Sequence, residues 1–269
     1  MPGDPDPAYV LARTALLDAA YALAPHLDAV VLVGAQAVYL HTGEADLAVA
    51  AFTTDADFSI EPGSLRNSPL LDDLLRHKGF TPREHPGGWL SPGGVYIDIM
   101  VPEALAGPGR RGADLGAHGR RAARRAKGLE GALVDRETRT ISSLDGSDPR
   151  AVTMNVAGPG ALLVAKLHKI AERTRSDDRV RNKDSLDVLR LLRAFSTEEL
   201  ADRLEQMRAA PDAGPVTNEA IDQLRSLFGA ANDRGVRSAV AASIHLVDPD
   251  EIALALTTLT ADLLDALAN

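Results

Sequence analysis

The feature that most constrains this chain is a change of hydrophobic period near residue 157. Before that point, short apolar runs alternate with helix-length amphipathic stretches, the pattern of a mixed sheet with helices packed against it. Beyond it, the segments 159–174, 182–194, 197–209, 217–230, 233–244 and 249–267 all carry the helical period. Pro159 suits the first turn of the first of them. A chain of 269 residues is long enough for two lobes, each with its own core. The expectation is an α+β fold: a mixed-sheet lobe with flanking helices over residues 1–157, then an all-helical lobe over residues 158–269.

Within the first part, residues 8–25 predict a helix with Leu11, Ala15, Leu16, Ala19 and Leu23 on its apolar face. Ala29–Val33 predicts a buried strand, followed by Gly34 and a helix opening at Ala35. The run FTTDADFSI at 52–60 alternates as a strand, with Asp55, Asp57 and Ser59 on one face and Ala56, Phe58 and Ile60 on the other. A short helix is expected over 67–78, and GGWLSPGGVYIDIMVP reads as a hairpin turning at Ser91-Pro92-Gly93-Gly94. In its second strand Tyr96, Asp98 and Met100 share a face. The segment from Pro102 to Gly131 reads as a loop with a short basic helix, and residues 132–156 supply two further strands.

Composition removes several classes of chemistry. The absence of cysteine excludes disulfides, thiol catalysis and cysteine metal sites. No P-loop, HExxH or GxSxG motif is present. The chain lacks a long apolar run, and MPGDPDPAYV lacks the pattern of a signal peptide, so a cytoplasmic protein without a membrane partner is expected. A net charge of -9 makes a poor general binder of nucleic acid. The stretch Arg110–Lys127 nevertheless carries seven basic residues against the single acid Asp114, enough for a local basic surface.

The chemistry is expected where carboxylates gather. Asp55 and Asp57 lie two apart on a strand, so their side chains face the same way and repel unless a cation lies between them. Oxygen ligands of this kind suit Mg²⁺ or Mn²⁺ carried with substrate phosphates. Asp98 interrupts the apolar strand VYIDIMV and would complete a two-metal site as a third metal ligand beside Asp55 and Asp57. Gly34 at a strand-to-helix turn, with Ala35 after it, would let a phosphate approach the helix N-terminus. Thr53 shares the face of Asp55 and Asp57, which allows a phosphate contact, a regulatory modification or simple β-propensity. Lys166, Lys169 and Arg173 fall on one face of a helix, where a triphosphate could meet them. Lys166 is the candidate for contact and Lys169 reads as solvated. Asp184 and Asp187 lie one turn apart at the start of the next helix.

A strand, a glycine, a helix, a DxD strand and a later single Asp, here GAQAVYLHTG, TTDADF and Asp98, resemble the polymerase-β-type nucleotidyltransferase fold. The chain departs from that pattern at Ala35, where the superfamily usually has serine or glycine. The segment VAKLHKIAERTRSDDRVRNKDSLDVLRLL resembles the AbiEii/MenT-like nucleotidyltransferases, toxins of bacterial toxin–antitoxin pairs. The resemblance spans roughly residues 28–195. It implies that Lys166 and Asp184 are active-site positions, that Asp187 is a second acid of the same motif, and that Arg173 lies nearby. It further implies an NTP substrate, the 3′ end of tRNA as acceptor and a cognate antitoxin as partner; the basic stretch 110–127 could contact the phosphates of such an acceptor or form a solvated loop. Protein-nucleotidylating enzymes of the same superfamily, or an inactive nucleotide-binding protein of the same fold, are the alternatives.

Overall fold

The computed structural model describes residues 6–43, 53–172, 178–243 and 248–268, with the backbone alone described over 178–182. Helix α1 (Pro7–Ala22) begins where the Asp6 carboxylate accepts a hydrogen bond from the Ala8 N–H and proline occupies a first-turn position. Its buried face holds Ala12, Leu16, Ala19 and Leu23, but Leu11 is 53% exposed. At 100° per residue Leu11 cannot share the stripe that Ala12 and Leu16 define. Strand β1 (Val30–Val33) is buried throughout and runs directly into helix α2 (Gly34–Thr42). Strand β2 (Asp55–Ile60) pairs antiparallel with β1, placing Val33 opposite Asp57.

Helix α3 (Leu71–His77) and the two-residue strand β3 (Thr81–Pro82) lead into the hairpin of β4 (Gly88–Leu90) and β5 (Tyr96–Pro102). The turn forms where expected. Ser91 Oγ accepts from the Val95 N–H at 3.0 Å, and Gly94 takes the positive φ of 78° that a side chain would resist. β5 pairs parallel with β2. The basic segment does not form a helix. After a short 3₁₀ turn at Gly116–His118 it enters the sheet as β6 (Arg124–Ala126), parallel to the C-terminal half of β5. Its arginines could not be recognised as a strand because three residues are too few to show a period. Strands β7 (Arg136–Ser142) and β8 (Ala151–Ala157) form the last hairpin, and β8 pairs parallel with β1. The eight-stranded sheet runs β3-β4-β5-β2-β1-β8-β7, with β6 on the β5 edge.

Strands end at Ala157, and helices follow: α4 (Pro159–Glu172), α5 (Asp178–Ala194), α6 (Thr197–Ala209), α7 (Gly214–Phe228), α8 (Arg234–Ser243) and α9 (Pro249–Ala266). The fold is thus mixed α/β with a helical C-terminal region. The Asp135 carboxylate caps α4 from outside the helix, accepting from the Ala161 N–H at 2.9 Å, while Arg203 of α6 pairs with its other oxygen at 2.6 Å. Helices α4 and α5 pack on α2, and the buried apolar residues form a continuous cluster from Tyr9 to Leu263. The change of secondary structure therefore does not interrupt the core. Among the described residues no helix is long and apolar enough to cross a membrane.

Candidate functional site

Two strands and one turn assemble the carboxylates. In the parallel pairing of β2 with β5, Asp55 stands opposite Tyr96 and Asp57 opposite Asp98. Matched positions on adjacent strands put their side chains on the same face, so register alone brings together acids that are 41 residues apart (98 less 57). The β1–α2 turn lies next to Asp57 through the Val33–Asp57 pairing. Gly34 holds φ at 75°, and a Cβ there would overlap the Asp57 carboxylate. Both the left-handed backbone and the lack of space require glycine at this position.

The three acids have different surroundings. Thr53 Oγ1 donates to Asp55 Oδ1 at 2.6 Å, and Thr53 is fully buried, so its hydroxyl is committed to positioning Asp55. Asp98 is held on both oxygens: His85 Nε2 lies 3.2 Å from Oδ1, and Arg124 Nη2 donates to Oδ2 at 3.3 Å. Asp57 is 9% exposed, and among the described residues none donates a hydrogen bond to its carboxylate. Burial, followed by the charges of Asp55 and Asp98, pushes its pKa up to about 6, against the opposing pull of Lys169 and Arg124.

Sequence reasoning missed one residue that shapes this site. Gln36, buried in the first turn of α2, donates from Nε2 to the carbonyl of Asp55 and to the carbonyl of Ala12, each at 3.0 Å. Its Oε1 accepts from Arg13 Nε, also at 3.0 Å. A glutamine near the start of an apolar helix was the available signal, since a buried amide must find partners. Ala35 beside it is buried and presents no polar side chain.

A cavity of about 480 Å³ opens above Asp57, between the sheet and α4. This falls within the ~300–1,000 Å³ of small-molecule sites. Val33, Gly34, Asp57 and Met100 form the sheet side, and Leu162, Ala165, Lys166, Lys169 and Glu172 come from α4. The basic segment closes it with Arg110, Arg124, Arg125 and Lys127, beside Glu103. These arginines and Lys127 therefore meet the carboxylate site itself. Arg125 is tied locally, its Nη1 donating to the carbonyls of Gly107 and Gly109, and so is Arg121 of the same segment, which does not line the cavity and donates from Nη2 to the carbonyls of Arg83 and Glu84. Lys127 pairs with Glu219 of α7 at 2.5 Å.

Lys166, the candidate for phosphate contact, lines the cavity and is held by the acids of the next helix. Its ammonium is buried and donates to Asp184 at 2.8 Å and to Asp187 at 2.6 Å. Burial alone pushes its pKa down, but the two carboxylates more than offset this, so the group stays firmly protonated. Lys169, expected to be solvated, borders the cavity with its side chain 36% exposed and only a 3.6 Å approach to Asp184. A helix wheel puts both lysines on one face but cannot say which is covered by the neighbouring helix. Arg173 lies outside the described residues.

The donor chemistry suits a hard divalent cation. Asp55 and Asp57 offer carboxylate oxygens only, and among the described residues none donates a hydrogen bond to the buried Asp57 carboxylate. Among the described residues no three His, Asp or Glu side chains form a ready cage. The set that fits is two carboxylates completed by ligand phosphates, the way Mg²⁺ is usually held. Comparison with models of known protein families, with characterised proteins and with solved structures finds no match to this chain.

Proposed function

We propose that this chain is a metal-dependent nucleotidyltransferase. It transfers a nucleoside monophosphate from an NTP to an acceptor hydroxyl, the acceptor being the 3′ end of a tRNA and the setting that of a toxin with a cognate antitoxin. The observation that carries the reading is Asp57. It is a buried carboxylate that receives no hydrogen bond from the described residues, in register with Asp98 and pressed against the Gly34 turn, in a cavity with several basic side chains on its wall. Such an arrangement is unstable by itself and becomes stable when a divalent ion and a polyphosphate arrive together.

Mg²⁺ or Mn²⁺ bound by Asp55 and Asp57 would neutralise the triphosphate and polarise the α-phosphate. The first turn of α2, which has no side-chain cap, offers its N–H groups to phosphate oxygens. Lys169 and Arg110 line the same cavity and supply positive charge to the leaving pyrophosphate. The Lys166–Asp184–Asp187 cluster fixes α4 against α5 and so sets where Lys169 stands. Asp98 marks the side from which the acceptor hydroxyl approaches. The exposed Arg110 and Arg111 beside the cavity mouth suit the phosphates of a nucleic acid acceptor.

The test is transfer of label from each α-³²P NTP with Mg²⁺ to total tRNA and to total protein, with Asp57→Ala alongside. Label on tRNA, lost in the variant, is the expected result. Label on protein would move the acceptor to a protein hydroxyl. Undiminished transfer by Asp57→Ala, or no transfer to either pool, would refute the reading.

A further inference from the structure

In two-cation nucleotidyl transfer the third carboxylate shares a second metal ion. Here that carboxylate already has its cation. The parallel register sets Arg124 of β6 opposite Met100 of β5, on the face that carries Asp98. The guanidinium then reaches back along the strand to Asp98 Oδ2 at 3.3 Å. On the other side, Gly88 pairs with Asp98 across β4 and β5, and the His85 imidazole fills the space that a Cβ on Gly88 would need. That glycine lets His85 Nε2 come within 3.2 Å of Asp98 Oδ1. Both oxygens are engaged by side chains that the sheet itself positions. Asp57, nine-tenths buried beside them, receives no such partner among the described residues.

We infer that Arg124 stands in for the second metal ion, so that this chain binds one divalent cation, on Asp55 and Asp57, where a two-ion centre would bind two. The inference rests on the reading of the site as a nucleotidyltransferase centre. Arg124 and His85 already occupy both oxygens of Asp98, which leaves Asp55 and Asp57 as the carboxylates to take an ion. A second divalent ion bridging Asp57 and Asp98 would have to sit beside a guanidinium that cannot be deprotonated. The chain thus fixes by folding a positive charge that would otherwise depend on the metal concentration. The basic segment is accordingly part of the catalytic centre and does more than present a surface to an acceptor.

The experiment counts bound Mn²⁺ by the electron paramagnetic resonance of the free ion, with the intact protein saturated by the α,β-methylene analogue of each NTP in turn. The wild-type chain is expected to hold one Mn²⁺ per protein–analogue complex, the ion that Asp55 and Asp57 share with the triphosphate. Arg124→Ala, and Arg124→Gln as a variant that keeps a polar side chain without the charge, should hold two. Two ions in the wild-type protein, none at all, or one in both folded variants would overturn the inference. These failures are separable from failure of the proposed function. Two bound ions with active label transfer leave the nucleotidyltransferase reading intact, and one bound ion without transfer to any acceptor leaves the single-cation site intact while removing the proposed reaction.

Discussion

Two buried clusters of charge lie on either side of the same cavity, and they are built to opposite ends. In the helical region Lys166, Asp184 and Asp187 are all nearly inaccessible and close on one another at 2.6–2.8 Å. In the sheet Asp55, Asp57 and Asp98 are all acids, and Asp57 is held beside its neighbours at the expense of an upward shift in its pKa. In the first cluster two carboxylates share one buried ammonium, whereas in the second Asp98 has Arg124 and His85 but, among the described residues, none donates a hydrogen bond to the Asp57 carboxylate. A fold that can place a lysine between two aspartates within the same cavity wall could have done so at Asp57. The contrast supports the proposal that a cation from solution binds at Asp57.

The sharpest way to break this comparison is to open the closed cluster. Lys166→Ala would take from Asp184 and Asp187 the buried ammonium that they share. Removal of one partner from a buried ion pair costs about 3–5 kcal/mol. Thermal melting should show a fall in stability of that order, with or without Mg²⁺ and nucleotide. An unchanged melting temperature would mean that the cluster holds nothing together and that Lys166 is kept for contact with a ligand.

The opposite outcome is expected when the open cluster is relieved. The Asp57 pKa is raised from an ordinary carboxylate value to about 6 in the folded protein. Between those values the folded state binds the extra proton, so stability falls as pH rises through the window, and above it the full penalty stands. Asp57→Asn should therefore melt higher than the wild type at pH 8 in the presence of a chelator, by on the order of 2–3 kcal/mol. The difference should vanish near pH 4, and transfer activity should be lost at every pH. A destabilised Asp57→Asn at pH 8 would show that the carboxylate has a partner in the fold and is no open site.

The smallest effect separates the two lysines of α4. Lys169→Ala removes a partly exposed ammonium from the cavity wall, and melting should be unaltered within error because exposed pairs contribute little. Nucleotide affinity should fall about tenfold, close to 1.4 kcal/mol. Affinity unchanged in this variant but reduced in a folded Lys166 variant would return the phosphate contact to Lys166.

Reading the chain in one dimension went far where the signal was local. The strand at 30–33, the glycine after it, the Asp55–Asp57 alternation and the Ser91–Gly94 turn were all legible, because each rests on a period of two or on a backbone conformation particular to glycine. Less was legible where neighbours come from afar. Strand β6 is too short to show a pattern, Leu11 was placed on the wrong side of α1, and the contrast between Lys166 and Lys169 depends on the distance to α5. Gln36 acts on Asp55 across 19 residues and gives no periodic signal.

The sequence by itself determined which residues could carry chemistry and which face of each strand or helix they would occupy, since those follow from the alternation of side chains along a backbone. Tertiary structure decided what each of them does. The parallel register of β2 with β5 chose Asp98 as the neighbour of Asp57, the entry of β6 into the sheet brought Arg124 to Asp98, and the packing of α4 on α5 enclosed one lysine and left the other at the cavity. The state of a charged group depends on the charges and the water around it in space, and separation along the chain fixes neither.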